Sequence, residues 1–380
     1  MTVLSRRPVL RWLLPAFLAL VLAAAGSAIG VITAAARSGL PHRSAAQLLV
    51  DVQGARLDGL SGTIVQNADL GLPQLPDTGG SGSSDPTSLV SGSHTLRLWY
   101  AGPNRFRVAL LGSLGEYDLV RNGTDLWTWS SKDKSAGHHV VPLERRAPHS
   151  LASASPVTPQ KAAEAALRAI TPTTRVSTDG TAVVAGRSAY ELLLQPRGSG
   201  SLVGSVRIAI DGKTHVPTRV QVFAKHAGKP AFEVGFTSFD PSRPAASVFR
   251  FNPPAGTKVT NGSYRPLTAQ SARQMHAQHA GQRPAQPGQP RVVGTGWATV
   301  LVAKTPQGGL GATAGSGGAS NSAVPGQLAQ VMRALPRVSG SWGSGRVLQG
   351  TLFSAVLTDE GRIAVGAVSP QRLYAALSHG

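Results

Sequence analysis

The residues able to do chemistry are few and poorly placed for it. Catalysis needs a nucleophile beside a base, paired carboxylates, or metal ligands at workable spacing. The chain has no cysteine, which excludes thiol catalysis, thiolate metal sites, disulfides and a lipid-modified N-terminal cysteine. Gly212-Lys213-Thr214 ends like a phosphate-binding loop, but the first glycine such a loop requires falls at Arg207. That segment reads as a hairpin turn, not as a strand-to-helix turn. His138 and His139 are adjacent, and adjacent strand residues point to opposite faces, so they read as surface histidines. His276 and His279 have helical spacing but stand in a polar linker with no acidic partner nearby. Glu116 and Asp118 share one strand face, a geometrically possible carboxylate pair, and read as solvated strand charges. No Gly-x-Ser-x-Gly elbow occurs. The expectation is a binding protein and no enzyme, with no cofactor and no metal.

The 380 residues carry 37 Lys and Arg against 18 Asp and Glu, a formal charge of +19. The arginines are spread along the chain. A nucleic-acid binder would cluster them with aromatics or along a helix, so nucleic acid is not an expected partner. A basic surface beside an anionic membrane fits better, each cation adding about 1 kcal/mol of attraction. Residues Trp12–Ala36 hold no charge, and Arg6, Arg7 and Arg11 precede them. About 20 apolar residues cross a bilayer core, and basic flanks stay in the cytoplasm. Residues 1–11 are therefore expected inside and 12–36 as a transmembrane signal-anchor or signal peptide. The bulk of the chain then lies outside the cell membrane, single-pass, or secreted if that segment is cleaved. The bias to alanine, arginine and glycine is that of a GC-rich bacterial genome.

The elements that follow are mostly strands. Ser44 N-caps a predicted helix over 44–57, and a strand is predicted at Ser61–Gln66. Residues 73–92 form a Gly/Ser/Pro/Asp loop. Strands then recur at His94–Tyr100, at Phe106–Leu110, and at Glu116–Arg121 and Thr124–Ser130, the last two flanking Asn122-Gly123 as a type I′ hairpin. A helix runs from the N-cap Thr158 to Ile170. Strands resume at Ala182–Ala185, Ala189–Gln195, Val203–Ile210, Thr218–Ala224 and Ala231–Phe239. Residues 261–290 read as a linker. Beyond it, strands at Gly296–Lys304, Thr351–Leu357 and Arg362–Val368 and a helix at Pro370–Leu377 make a small α+β domain over 291–380.

Leu96, Leu98, Tyr100, Phe106, Val108, Leu110, Trp127 and Trp129 lie on neighbouring predicted strands, each set at period two. Such a sheet has an apolar side that is either plain core or the lining of a cavity, and periodicity alone does not separate the two.

Several motifs in order resemble the LolA/RseB superfamily over about residues 44–260. They are Ser61-Gly62-Thr63-Ile64-Val65-Gln66, the strand pair LRLWYAGPNRFRV (96–108), YDLVRNGTDLWTWS (117–130), Val184-Ala185-Gly186-Arg187-Ser188-Ala189-Tyr190, AIDGKTHVPTRVQVF (209–223) and FRFNPPAGTKV (249–259). The C-terminal part resembles, more weakly, the small second domain of RseB. The resemblance implies an α+β fold, an unclosed antiparallel β half-barrel with a helical lid over a hydrophobic cavity. It also implies an accessible pocket for a lipid or lipoprotein acyl chain, or a role in envelope-stress sensing by binding an anti-sigma factor or another membrane protein through 291–380. The eight apolar residues above are the ligand-binding candidates. One departure stands out: many LolA carriers have an arginine just before the turn proline, and here that position is Gly102. An anchored chain that also lacks this lid-holding arginine is not expected to shuttle.

Overall fold

The computed structural model describes residues 39–72, 82–143, 172–263, 291–304 and 335–378. These fall into two units, one within Met1–Leu70, Asp77–Arg197 and Gly204–Gly262, the other within Gly71–Pro76, Gly198–Val203 and Ser263–Gly380. The apolar stretch 12–36, the predicted helix 158–170 and most of the 261–290 linker, His276 and His279 included, lie outside the described residues. Among the described residues no helix is long and apolar enough to cross a membrane.

The first unit opens on helix α1 (Ala45–Gly54). Ser44 caps it as the sequence predicts: its hydroxyl accepts from Gln47 N–H while the Gln47 side chain accepts from Ser44 N–H. This reciprocal pair satisfies two donors that a helix N-terminus otherwise leaves open. Twelve strands follow: β1 (Leu60–Ala68), β2 (Gly92–Tyr100), β3 (Arg105–Gly112), β4 (Gly115–Asn122), β5 (Asp125–Ser130), β6 (Ser135–Val140), β7 (Thr174–Val184), β8 (Arg187–Pro196), β9 (Val203–Asp211), β10 (Pro217–Ala224), β11 (Phe232–Asp240) and β12 (Lys258–Ser263). They form one sheet in the order β12-β6-β5-β4-β3-β2-β1-β11-β10-β9-β8-β7. It is large, unclosed and mostly antiparallel, with few helices. β12 is unforeseen in the sequence and falls at the start of the expected linker. It runs beside β6 in the same direction, since Lys258 N–H donates to Lys134 O at one end and Gly262 lies against His139 at the other.

The sheet curls. Three strands separate β7 from β11, which in a flat sheet would put them about 19 Å apart. Yet the two touch, and Val184, Ala189 and Ala209 pack against Phe236.

Two turns differ from expectation in an informative way. Asn122 pairs with Asp125, so the hairpin loop is Gly123-Thr124, with Gly123 at φ 67. Positive φ at the first central residue only is the type II′ pattern, not type I′. The type I′ conformation is found instead at Ala185-Gly186, where both residues have positive φ. The predicted Asp211-Gly212 hairpin is a wider turn over 211–216. Its centre is Asp211, which is 1 % exposed and takes both Nε and Nη2 of Arg187, at 2.7 and 2.9 Å, with Lys213 N–H, Thr214 N–H and the Thr214 hydroxyl. The backbone donors that a phosphate loop would need are thus spent on a carboxylate. Burial works to raise the pKa of Asp211, but Arg187 and Thr214 outweigh it and hold it at about 2.

In the second unit β13 (Arg291–Val293), β14 (Val300–Lys304), β15 (Arg337–Gly340), β16 (Gly343–Gln349), β17 (Ser354–Thr358) and β18 (Arg362–Gly366) form a sheet in the order β13-β14-β18-β17-β16-β15. β15 and β16 were not predicted, and the predicted 296–304 strand begins only at Val300, after a 3-10 turn at Gly296–Ala298. Helix α2 (Pro370–Ser378) buries Leu373, Ala376 and Leu377 against Val300, Val302, Val347, Val356 and Ala364. Trp342 stacks on Tyr374 at 5.3 Å. Two arginines donate to the carbonyls at the end of α2: Arg291 to Ala376 O, and Arg362 to Leu377 O at 3.1 Å. A helix C-terminus leaves such carbonyls without intrahelical partners.

Replacing Asp211 by alanine strips Arg187 and the turn donors of a buried acceptor. Urea unfolding should show a loss of about 3 kcal/mol or more, whereas Asp133→Ala, at an exposed position, should stay within about 0.5 kcal/mol. Because the folded pKa lies below the unfolded value of 3.8, the Asp211 contribution is present above pH 4 and is lost as pH falls through about 2.

Candidate functional site

Cross-strand register decides which side chains share a face. Leu96 faces Leu110, Leu98 faces Val108, and Tyr100 faces Phe106. The same side continues onto β1 through Leu60 and Ile64 and onto β4 and β5 through Leu119 and Leu126. The structure therefore brings six of the eight predicted residues together. On this side of β1 to β5 the leucines and aromatics are half-buried except Leu110, at 3 % exposure, and the same side carries Ala68 and the polar residues Gln66, His94 and Arg121, all buried.

Trp127 and Trp129 are not with them. Val120 faces Trp127 and Asp118 faces Trp129, and these residues stand on the other side of the sheet, with Arg107 and Ala109. The parity was countable in the sequence. Each two-residue hairpin pairs even with odd numbers, so even positions on β3 meet odd positions on β4 and even positions on β5. Trp127 and Trp129 are odd, and they belong to the opposite side.

That opposite side is polar and aromatic. Trp127 stacks on His138 at 4.1 Å, and Phe251 leans on both tryptophans at 5.4 and 6.2 Å. His138 Nε2 lies 2.8 Å from Asp125 Oδ1, while His139 pairs with Leu126 on the apolar side. Arg97 and Arg107 flank the Trp99 ring at 5.4 and 5.5 Å. Arg107 Nη2 lies 2.6 Å from Asp118 Oδ2 and 3.6 Å from Glu116 Oε1. Asp118 is not the solvated strand charge expected, since it is 1 % exposed. Burial raises its pKa to about 6, with Arg107 pulling down and Glu116 pushing up.

Further along this polar side, Arg219 Nη2 lies 3.7 Å from Glu191 Oε2, and Gln221 donates to Glu233 at 3.0 Å. Since Arg219 and Glu191 meet there, Tyr190 and Leu192, on either side of Glu191, point to the apolar side. Both pack against Leu48 of α1. The helix thus covers the apolar side at β8 and β9, and not at β2 to β4. A cleft of about 370 Å³ opens on the polar side between the Ala185-Gly186 turn and Val65, Asn67, Arg219 and Glu233. Among the described residues no group of three or more His, Asp or Glu side chains could hold a metal ion.

The similar solved structures include a LolA superfamily protein. The Pseudomonas aeruginosa MucA/MucB complex is 14 % identical, covers 88 % of this chain and 96 % of the other, and has a TM-score of 0.42. A LolA superfamily protein from Nitrosomonas europaea is 12 % identical over 55 % of this chain and 99 % of its own, at TM-score 0.19. The Mycobacterium tuberculosis lipoprotein LppX is 11 % identical over 50 % of this chain and 89 % of its own, at 0.26. No protein-family model matches the sequence, and no curated protein matches it. At these scores the likeness concerns the fold alone.

The position before the turn proline is also explained. Gly102 has φ 109, a region where an arginine would be strained, so the local backbone and the absence of that arginine go together.

Asp118 makes stability depend on pH. Its folded pKa of about 6 exceeds the unfolded 3.8, so the folded chain holds a proton that the unfolded chain releases between those values. Stability from this group is full below pH 4 and falls as pH rises through 6. In thermal melts the parent should lose on the order of 2 kcal/mol over that interval, and Asp118→Asn should keep it.

Proposed function

We propose that the chain is an extracytoplasmic binding protein, tethered to the cell membrane by residues 12–36, that holds an acyl chain of a lipid or lipoprotein on the apolar side of its half-barrel. It is a carrier or holder and not an enzyme. The observation that supports this reading is the patch of half-buried apolar residues Leu96, Leu98, Tyr100, Phe106, Val108 and Leu119 on β2 to β4, which among the described residues α1 does not reach. Five strands span roughly 19 Å at ordinary strand spacing, enough for a long acyl chain laid across them. Burying about ten methylenes would contribute roughly 8 kcal/mol, ample for a reversible complex.

Native mass spectrometry of residues 39–380 should show copurified lipid, and a fluorescent fatty acid should be taken up. Leu98→Asp or Val108→Asp should cut uptake by about ten-fold or more, since a charge then sits where the chain lies. Trp127→Ala, on the other side of the sheet, should leave it within about two-fold. A clean lipid-free mass together with no uptake would remove the reading.

A second reading is favoured by the separate sheet and core of the second unit, which acyl-chain binding does not use. In it the chain regulates an anti-sigma factor or another membrane protein by docking it through 291–380. Pull-down with and without that segment separates the two, and unchanged partner recovery without it rules out docking there.

A further inference from the structure

One end of the twelve-stranded sheet carries lysines around a bare leucine. Beside the β1–β2 connection and the β8–β9 turn 197–202, register brings to that end the turns 113–114 between β3 and β4, 131–134 between β5 and β6, and 225–231 between β10 and β11. The start of β12 joins them, because Lys258 N–H donates to Lys134 O at 2.8 Å. Lys132, Lys134, Lys225, Lys229 and Lys258 all stand there and are exposed. They are five of the eight lysines in the sequence. Leu114, at the tip of the β3–β4 turn, is 97 % exposed. In strand order it lies between the two lysine groups, with Lys258, Lys132 and Lys134 on one side and Lys229 and Lys225 on the other.

The carboxylates of this end, Asp133, Asp85 and Asp69, offset part of the charge and leave the five lysines in excess. Asp133 accepts from the Ser130 hydroxyl, Asp85 caps the 3-10 turn through Thr87, and Asp69 is exposed. Glu116 is drawn toward Arg107 on the polar side. An aliphatic tip amid lysines matches a lipid surface in two independent ways. The apolar group gains by entering the headgroup boundary, and each lysine strengthens attraction to anionic headgroups within a Debye length.

We propose that this lysine end of the half-barrel docks onto an anionic lipid surface, with Leu114 inserted. The idea deepens the acyl-chain reading and rests on it for its purpose, because a bound chain has to enter from a bilayer. The opposite end receives the incoming chain, where the Tyr190 hydroxyl donates to Pro41 O at 2.9 Å. The lysine end therefore faces away from the proposed anchor, toward lipid presented from the other side.

The chain has no cysteine, so a single label is easily placed. Full-length Leu114→Cys carrying an environment-sensitive dye is held in nanodiscs of neutral lipid, and vesicles are then added. Anionic phosphatidylglycerol vesicles should raise and blue-shift the signal by about two-fold or more, phosphatidylcholine vesicles should not, and 0.5 M salt should reverse the effect. The combined Lys132→Gln, Lys134→Gln, Lys225→Gln and Lys229→Gln variant should lose it. A label at Thr124→Cys, at the other end, should stay silent. No response to anionic vesicles, an equal response at 124, or the same response to soluble polyglutamate would each overturn lipid docking. Failure of the chain to stay in the nanodisc reads on the anchor instead, and failure of fatty-acid uptake reads on the pocket.

Discussion

Alternation along β1 to β5 is the constraint on which the rest of the first unit depends. Because successive side chains on a strand face opposite ways, one register sorts every residue of five strands at once. It puts Leu96, Leu98, Tyr100, Phe106, Val108 and Leu110 on one side and Trp99, Arg107, Asp118, Trp127 and Trp129 on the other. A slip by one residue on β3 or β4 would turn Arg107 or Asp118 toward the aliphatic side and away from their partners. The two-residue turns at 113–114 and 123–124 fix that register. Gly123 at φ 67 is what lets the second of them close.

The arginine excess has a structural use that composition hid. The sequence suggests a basic coat beside a membrane, yet many arginines are occupied inside the fold. Arg187 is bound to Asp211, Arg107 to Asp118, Arg121 to Asn104 and the Pro142 carbonyl, Arg362 to the Trp342 and Leu377 carbonyls, and Arg346 to the Leu335 carbonyl. A planar guanidinium with five donors can satisfy loop ends and helix ends at sites where a lysine could not. Net charge is thus a poor guide to the outer surface here. The lysines, few and gathered at one end, are the better one.

Much of the fold was legible because its signals are local. Ser44 as N-cap announced α1, glycine turns announced the hairpins, and period-two apolar runs announced β2, β3 and β9. What escaped depends on pairing between distant segments. β12, with the polar pattern Lys258-Val259-Thr260-Asn261-Gly262-Ser263, has no apolar alternation, and only β6 beside it makes it a strand. Asp118 read as solvated because nothing along the chain shows that Val120, Trp129 and the segment around Phe249 and Phe251 crowd that face. Period-two spacing within β5 groups Trp127 and Trp129 with the pocket candidates, but parity across two hairpins, a longer-range count, sends them to the other side.

The two sides divide the work in a way that favours binding over chemistry. On the polar side the charged groups are matched against one another: Arg107 with Asp118 and Glu116, Arg187 with Asp211, Arg219 with Glu191. Asp211, held at a pKa of about 2 by Arg187 and Thr214, is a weak base, Asp118 is only 1 % exposed, and a guanidinium already held is a weak oxyanion partner, so these pairs stabilise the sheet and offer little to a substrate. On the apolar side, apart from the buried Gln66, His94 and Arg121, the groups are unmatched in the opposite sense, half-buried hydrocarbon over β2 to β4 with α1 packed at β7, β8 and β9. Hydrocarbon left in that state gains most from a partner that is itself hydrocarbon and long enough to cross several strands, which an acyl chain is and a polar metabolite is not.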